Sequence, residues 1–458
     1  MIFSPVLNKN SNIALYIQLY EYIKSEITVG LLKPDSKLPS IREASSTLKL
    51  SKTTIENAYS QLVAEGYIDN IPKKGYYVCN LIEYSFTGDS NFYKGDTNQF
   101  TELRYINDGV DNTSFDISAW KRIYTKVISD NGTNIYNNGS IQGEIELRNG
   151  IADFVNTMRG GNTTANQVII GAGIQYLLGI LMGIIKSNYT AVAVETPGYS
   201  KAEFIFEDYS LDIKHIPVTE NGFPISSLKD SCANLVYISP SHQYPMGTVM
   251  PINKRMELLD WAYKNNGLII EDDYDGIIRY GGMPIPCLQG LDKNDCVIYL
   301  GSFSKMLLPS LRISYMIIPK NLLSKYYIIK SRYTQSTSKI DQLVLANFMK
   351  EGYMLKHLRK IKRIYRKKNL LLTNSIIEKF KDNIEIKNSD SGLHIVCEVK
   401  TDKRESKIIE DSKQNNILLN IVSSKENKIT FSLNYSGINI HEISEFTDVL
   451  GKILFSIV

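Results

Sequence analysis

Five short apolar runs recur through the middle of the chain, and each stops at a polar or glycine-rich motif. Val168-Ile169-Ile170 runs into Gly171-Ala172-Gly173, and Ala191-Val192-Ala193-Val194 into Glu195-Thr196-Pro197. Leu235-Val236-Tyr237-Ile238 runs into Ser239-Pro240-Ser241, Leu268-Ile269-Ile270 into Glu271-Asp272-Asp273, and Val297-Ile298-Tyr299-Leu300 into Gly301-Ser302. Strands that are apolar throughout are buried on both faces, as in parallel sheets. Their alternation with helical patterns predicts an α/β domain with a mostly parallel sheet. Ligands of such sheets bind outside the carboxyl ends of the strands, so the five motifs mark one candidate ligand edge.

Each strand end offers something that a phosphorylated aldehyde cofactor needs. Lys305, after a strand and a Gly-Ser turn, can form a Schiff base. Asp272 can keep a pyridine nitrogen protonated, so that the ring withdraws electrons. Tyr274 places a phenol nearby, and Tyr199, after Pro197-Gly198, can stack on the ring. Ser302, Ser304 and Arg312 suit a phosphate, joined by the backbone amides of Gly173 and Ile174 at a helix start. Taken singly, each has a plainer reading: a surface lysine, a turn aspartate, a half-buried tyrosine, an arginine paired with a structural carboxylate. Their joint order is what points to a cofactor site.

The first eighty residues follow a different pattern. Leu15, Leu19, Tyr22, Ile23 and Ile27 share one helical face over Ala14 to Thr28, and Gly30 ends that helix. Ser40 caps a short helix, Ile41 to Leu48, with Glu43 at capping-box spacing, and Ser51 caps a third, Thr53 to Glu65. Two short strands then flank a basic tip, Pro72-Lys73-Lys74-Gly75. Three helices and a basic hairpin predict a winged helix-turn-helix, whose recognition helix enters the major groove by its N-terminal end. That end carries Ser51, Lys52, Thr53 and Thr54, with Asn57 one turn on. Lys73 and Lys74 reach phosphates or the minor groove from the wing, and Arg42 clamps a phosphate or reads a guanine. The plainer alternative is the solvated face of a small helical domain.

Between the two patterns, Ser85 to Asn98 is polar and rich in Gly, Asp, Ser and Asn. The hydrophobic pattern is broken from Asn80 to about Arg104, and this stretch reads as a tether: roughly twenty-five residues at about 5–6 Å times the square root of length reach about 25–30 Å. The expected organisation is a DNA-binding domain over 1–80, a linker over 81–104 and a cofactor domain over 105–458, with a small subdomain from about 345. A net charge of +4 excludes a protein whose whole surface meets nucleic acid, so a local patch must carry DNA binding. The five scattered cysteines form no pair with metal-ligand spacing, and no metal is expected. With no signal pattern and no apolar run long enough to span a bilayer, a reduced cytoplasmic protein is expected.

Two resemblances follow. Leu38-Pro39-Ser40-Ile41-Arg42-Glu43, with Ser51-Lys52-Thr53-Thr54, Ala58-Tyr59, Leu62 and Glu65-Gly66-Tyr67-Ile68, resembles the GntR family of winged-helix repressors over residues 11 to 78. That resemblance implies DNA contacts at Arg42, Lys52, Thr53 and Thr54. Gly301-Ser302-Phe303-Ser304-Lys305 with Pro309-Ser310-Leu311-Arg312, Glu271-Asp272-Asp273-Tyr274-Asp275, and Ser239-Pro240-Ser241-His242-Gln243-Tyr244-Pro245-Met246-Gly247 resemble fold-type I pyridoxal-phosphate enzymes over about 105 to 450. Gly143 with Leu147-Arg148, and Gly171 to Gln175, fit that group's earlier landmarks. Together the chain resembles the MocR/GabR-type bacterial regulators. This implies a head-to-tail homodimer, pyridoxal 5′-phosphate (PLP) held as an internal aldimine on Lys305, double-stranded operator DNA as partner, and an amine, amino acid or PLP as effector.

The chain departs from the aminotransferase pattern at the substrate end. The arginine that forks a substrate carboxylate precedes a Leu-Asn-Phe/Tyr-Ser strand in those enzymes; here Ser432 stands before Leu433-Asn434-Tyr435-Ser436. A hydroxyl cannot make the bidentate charged contact. Lys201 could receive an anionic group as a point charge, although a surface lysine is its plainer reading. The tyrosine sent to the partner's phosphate falls at Asn138, unless Tyr136 replaces it. The expectation is therefore a regulator with little transaminase turnover. An active class I/II aminotransferase with an accessory DNA-binding domain is the alternative. A third reading, a domain that has lost PLP and only dimerises, runs against the intact Lys305, Asp272, Tyr274 and Arg312.

Overall fold

The computed structural model describes residues 7–8, 13–80, 109–219 and 222–455. The expected linker, 81–104, lies outside the described residues, as does the expected start of the large domain at 105. The chain divides into two compact units, Met1–Gln99 and Phe100–Val458.

In the first unit, α1 (Leu15–Thr28) buries Leu19, Tyr20, Ile23 and Ile27, the spacing of one apolar stripe. α2 (Ile41–Leu48) opens on a complete capping box: Ser40 Oγ accepts from the Glu43 amide, and the Glu43 carboxylate accepts from the Ser40 amide. α3 (Lys52–Ala64) is capped by Ser51 Oγ, which accepts from the Thr54 amide at 3.1 Å. β1 (Ile68–Ile71) and β2 (Gly75–Val78) pair antiparallel with Ile71 opposite Gly75, so Pro72-Lys73-Lys74 forms the tip. Leu19, Ile23, Ile55, Ala58, Leu62, Ile68 and Val78 make the small core. The architecture is the expected winged helix-turn-helix, with α3 starting one residue earlier than the pattern suggested.

The second unit is built on a seven-stranded sheet, β3 (Val168–Gly171), β4 (Ala191–Thr196), β5 (Asp212–Pro217), β6 (Leu235–Ile238), β7 (Leu268–Asp273), β8 (Val297–Ser302) and β9 (Ser314–Ile317), ordered β3-β9-β8-β7-β6-β4-β5. All neighbours are parallel except β9, which runs antiparallel to both β8 and β3. β6, β7 and β8 are buried along their whole length. Helices pack on both faces, among them the strongly apolar Ile174–Ile185. A second sheet, β10 (Ile384–Lys387), β11 (His394–Lys400), β12 (Asn420–Lys425) and β13 (Lys428–Asn434), is antiparallel in the order β10-β11-β13-β12. The helices Tyr353–Phe380 and Ile443–Leu454 share its core. This is the α/β fold expected, with the smaller C-terminal α+β part. Among the described residues no helix is long and apolar enough to cross a membrane.

Candidate cofactor site and DNA-facing surface

A cavity of about 400 Å³ opens at the carboxyl edge of the large sheet. The segment after β3 brings Gly173, Ile174 and Gln175; that after β4 brings Tyr199, Ser200 and Lys201; that after β6 brings Ser239 and Tyr244. β7 and its exit bring Asp272 and Tyr274, β8 and its exit bring Ser302, Ser304 and Lys305, and Arg312 and Ser314 follow. The second sheet closes one side with Leu393, His394 and Asn434. Every residue expected from sequence to hold the cofactor lies on this one wall, as does Lys201. Ser432 does not. It is buried in β13, in register with Val396 and Asn420, and Asn434, two residues on along the same strand, lines the cavity instead. The pleat carries one side of β13 toward the cavity only at its end.

β7 sorts three consecutive carboxylates by strand alternation. Glu271 accepts from the amides of Leu288 and Gln289, and Asp273 pairs with the buried Arg159 at 2.6 Å. Asp272, pointing the other way, reaches the cavity. Its Oδ2 accepts from the Tyr237 hydroxyl, while its Oδ1 is buried with no hydrogen-bond partner among the described residues. Burial, reinforced by the charges of Asp273 and Asp275 against the Tyr237 hydrogen bond, pushes its carboxyl up to about 7. A buried acceptor without a donor is costly, and a protonated pyridine nitrogen is the donor that this position lacks.

The other end of the cavity is an anion cradle. Gly173 has φ +107°, and a Cβ there would collide with the Arg312 guanidinium. Arg312 itself is left-handed at φ +51°, and its Nη2 donates to the Ala172 carbonyl at 3.3 Å. Ser314 Oγ donates to Ser302 Oγ at 2.9 Å, and Ser302 Oγ accepts from the Ser304 amide at 3.2 Å. Guanidinium, hydroxyls and the first amides of the Ile174–Ile185 helix thus converge, the donor set that a phosphate dianion requires. The residues present fit pyridoxal 5′-phosphate at both ends, with Lys305 between the motifs. The sequence did not single out Ser314, Leu393, His394 or Asn434.

On the first unit, Arg42, Ser51, Lys52, Thr53, Asn57, Lys73 and Lys74 are exposed, and Thr54 is half-buried. Among the described residues none of Arg42, Lys52, Lys73 and Lys74 forms an ion pair with a carboxylate. The Ser51 and Thr54 hydroxyls lie 2.7 Å apart and serve the cap of α3. Lys73 sits at the hairpin tip with φ +66°.

The family described as "Bacterial regulatory proteins, gntR family" matches residues 15–78, and the family described as "Aminotransferase class I and II" matches residues 106–428. The uncharacterized HTH-type transcriptional regulator YdeL of Bacillus subtilis is 39% identical, over 97% of this chain and 98% of its own length. The probable rhizopine catabolism regulatory protein MocR of Rhizobium meliloti is 28% identical, over 86% of this chain and 83% of its own. Among solved structures, LysN, an alpha-aminoadipate aminotransferase of Thermus thermophilus, superposes with a TM-score of 0.67 at 21% identity, over 76% of this chain and 90% of that one.

Proposed function

The chain belongs to the HTH-type transcriptional regulators that join a GntR-type DNA-binding domain to a class I and II aminotransferase domain with pyridoxal 5′-phosphate as cofactor, and from this premise we propose that it reads the level of an amine, an amino acid or PLP itself through the cavity and passes that reading to an operator. The observation that carries the reading is the meeting, on one cavity, of an Asp272 Oδ1 with no hydrogen-bond partner among the described residues and the Gly173–Arg312 cradle. When bound, the cofactor supplies an electrophilic carbon and an electron-withdrawing ring.

In this reading Lys305 provides the amine that holds the cofactor, and Asp272 keeps the pyridine nitrogen protonated. Tyr199 stacks on the ring, and Tyr274 offers its phenol beside it. Arg312, Ser302, Ser304 and the amides of Gly173 and Ile174 take the phosphate. Lys201 receives an anionic group of the effector. Arg42, Ser51, Lys52, Thr53, Thr54, Asn57, Lys73 and Lys74 form the DNA face, with backbone contacts from the wing and base contacts from the start of α3. A head-to-tail homodimer in the cytoplasm presents two such faces, and the effector changes operator affinity by favouring one arrangement of them.

A second reading, a working aminotransferase, draws on the complete set of Lys305, Asp272, Tyr274 and Arg312 around the cavity. Against it, among the described residues no arginine lines the cavity besides Arg312, which leaves a substrate carboxylate no second guanidinium there. One experiment tests both: candidate amines, amino acids and PLP are titrated while cofactor absorbance, keto-acid formation and operator binding are followed together. The regulator reading expects a spectral change that tracks DNA affinity without turnover. Turnover with unchanged DNA affinity would overturn it, as would a protein that stays colourless with PLP.

A further inference from the structure

Tyr274 lines the cavity, whereas His242, the hydrogen-bond partner of its hydroxyl, does not. Its oxygen is 3.0 Å from His242 Nδ1, and the same nitrogen faces both carboxylate oxygens of Asp275, at 2.9 and 3.0 Å. The side chains of His242 and Asp275 are 1% and 0% exposed. An ionised carboxylate only accepts, and a neutral imidazole carries one hydrogen. If that hydrogen were on Nε2, the Nδ1 lone pair would face the Asp275 carboxylate, and Nε2–H would be buried with no acceptor among the described residues. The hydrogen therefore belongs on Nδ1.

We infer that Asp275 and His242 are positioning residues for the cofactor: Asp275 fixes the Nδ1–H tautomer of His242, the Tyr274 oxygen accepts a share of that hydrogen, and the proton of Tyr274 is thereby turned into the cavity. Were Nδ1 bare, Tyr274 would donate to it, and the cavity would lose the donor. This rests on the PLP reading only for what the proton meets.

The surroundings hold the arrangement. Gly392, at φ +75° in the loop between β10 and β11, has no room for a side chain: a Cβ would collide with His242 Cε1 and lie 2.7 Å from Asp275 Oδ2. His394 on β11 donates from Nε2 to the Pro245 carbonyl at 3.0 Å, and its ring centroid lies 4.9 Å from that of His242. Burial and the neighbouring His242 hold His394 down at about 3, so it stays neutral. Burial, with the charges of Asp275 and Asp272, keeps the Tyr274 phenol well above its ordinary range, so it retains a proton to donate. The other titratable groups around it are Tyr244, Glu195 and Lys305. The second sheet thus wedges His242 against the exit of β7.

The test uses two readouts. In the full-length protein without added PLP, nitrogen-15 spectra of the histidines assign the His242 tautomer. A protonated Nδ1 with bare Nε2 is expected, and a protonated Nε2 would overturn the inference. In the PLP-loaded protein, the pH midpoint of the cofactor band is compared for wild type, Asp275→Asn, Tyr274→Phe and the double variant. Loss of the phenol donor destabilises the deprotonated cofactor, so Asp275→Asn raises the midpoint by about one unit, as Tyr274→Phe does. Adding Asp275→Asn to Tyr274→Phe then changes nothing more. Equal shifts from Asp275→Asn in both backgrounds would assign it a merely structural or long-range charge effect and overturn the proposal. No shift in a variant that still takes up PLP would do the same. A wild type that takes up no PLP sinks the cofactor reading alone, and the nitrogen spectra still decide the tautomer.

Discussion

The guanidinium of Arg312 occupies the space that a side chain at position 173 would need, and Gly173 at φ +107° is what lets it in. Two residues 139 positions apart in sequence are thereby committed to one anion cradle. Gly173→Ala forces the flexible end of Arg312 aside and strains a left-handed backbone, without touching the core. Displacing Arg312 from the cradle should weaken PLP binding about tenfold or more, while the backbone strain, about 1–3 kcal/mol, lowers thermal stability with and without PLP. Absorbance titration with PLP beside a melting curve measures both. Unaltered PLP affinity would remove the cradle from the phosphate role.

Asp272 ties stability to pH in a particular sense. Its folded-state carboxyl is raised from 3.8 to about 7, so between those values the folded protein binds more protons than the unfolded chain. The stability that Asp272 contributes without PLP is therefore fully present below the unfolded value and is lost as pH rises through about 7. Glu271, raised to about 7, and Glu195, raised to about 8, act in the same sense. Asp272→Asn should remove its share of the decline, flattening melting temperature against pH in the PLP-free protein, and should weaken PLP binding at the same time. A variant whose melting profile keeps the full slope would show that Asp272 does not carry this proton.

The DNA face separates two kinds of contact. Lys73 and Lys74, exposed at the hairpin tip, are proposed as phosphate contacts. Replacing either by Ala should weaken binding to operator and random duplex alike, and lower the slope of log affinity against log salt by about one. Arg42, at the start of α2, is the candidate for a guanine; Arg42→Ala should cost about 1–3 kcal/mol on the operator and less on random duplex. Fluorescence anisotropy at several salt concentrations distinguishes them. Equal losses of Arg42→Ala on both duplexes would make it another phosphate contact.

Much of this was legible before any coordinates, for reasons that also explain what was not. β3, β4, β6, β7 and β8 announce themselves because strands covered on both faces must be apolar throughout. β5 lies at the sheet edge and reads Asp-Ile-Lys-His-Ile-Pro, mostly exposed or half-exposed, so it lacks that signature. β9 opens on Ser314, shortly after the Pro309–Leu311 turn and Arg312, so the apolar run within it is shorter than the strand. Ser40 and Ser51 are visible as caps because the capping pattern is local. The link from Asp275 through His242 to Tyr274 is not local. His242 stands 33 residues before Asp275, and the wedge at Gly392 comes from the other sheet. Neither periodicity nor motif spacing encodes which strand ends meet.

The effector end of the cavity supplies the sharpest contrast between pattern and geometry. Lys201 and Asn434 line the cavity, whereas Ser432 is buried within β13. If the effector carries an anionic group, Lys201→Ala removes one point-charge contact and should weaken its effect on DNA binding about tenfold, near 1.4 kcal/mol, with the cofactor band intact. Asn434→Ala should alter the response as well, because Asn434 lines the same space. Ser432→Ala should leave the response unchanged, since Ser432 does not line the cavity. Effector titrations of operator binding for the three variants check this. A large effect confined to Ser432→Ala would mean that the cavity reorganises around its ligand and that the position matched from the aminotransferase pattern still governs recognition.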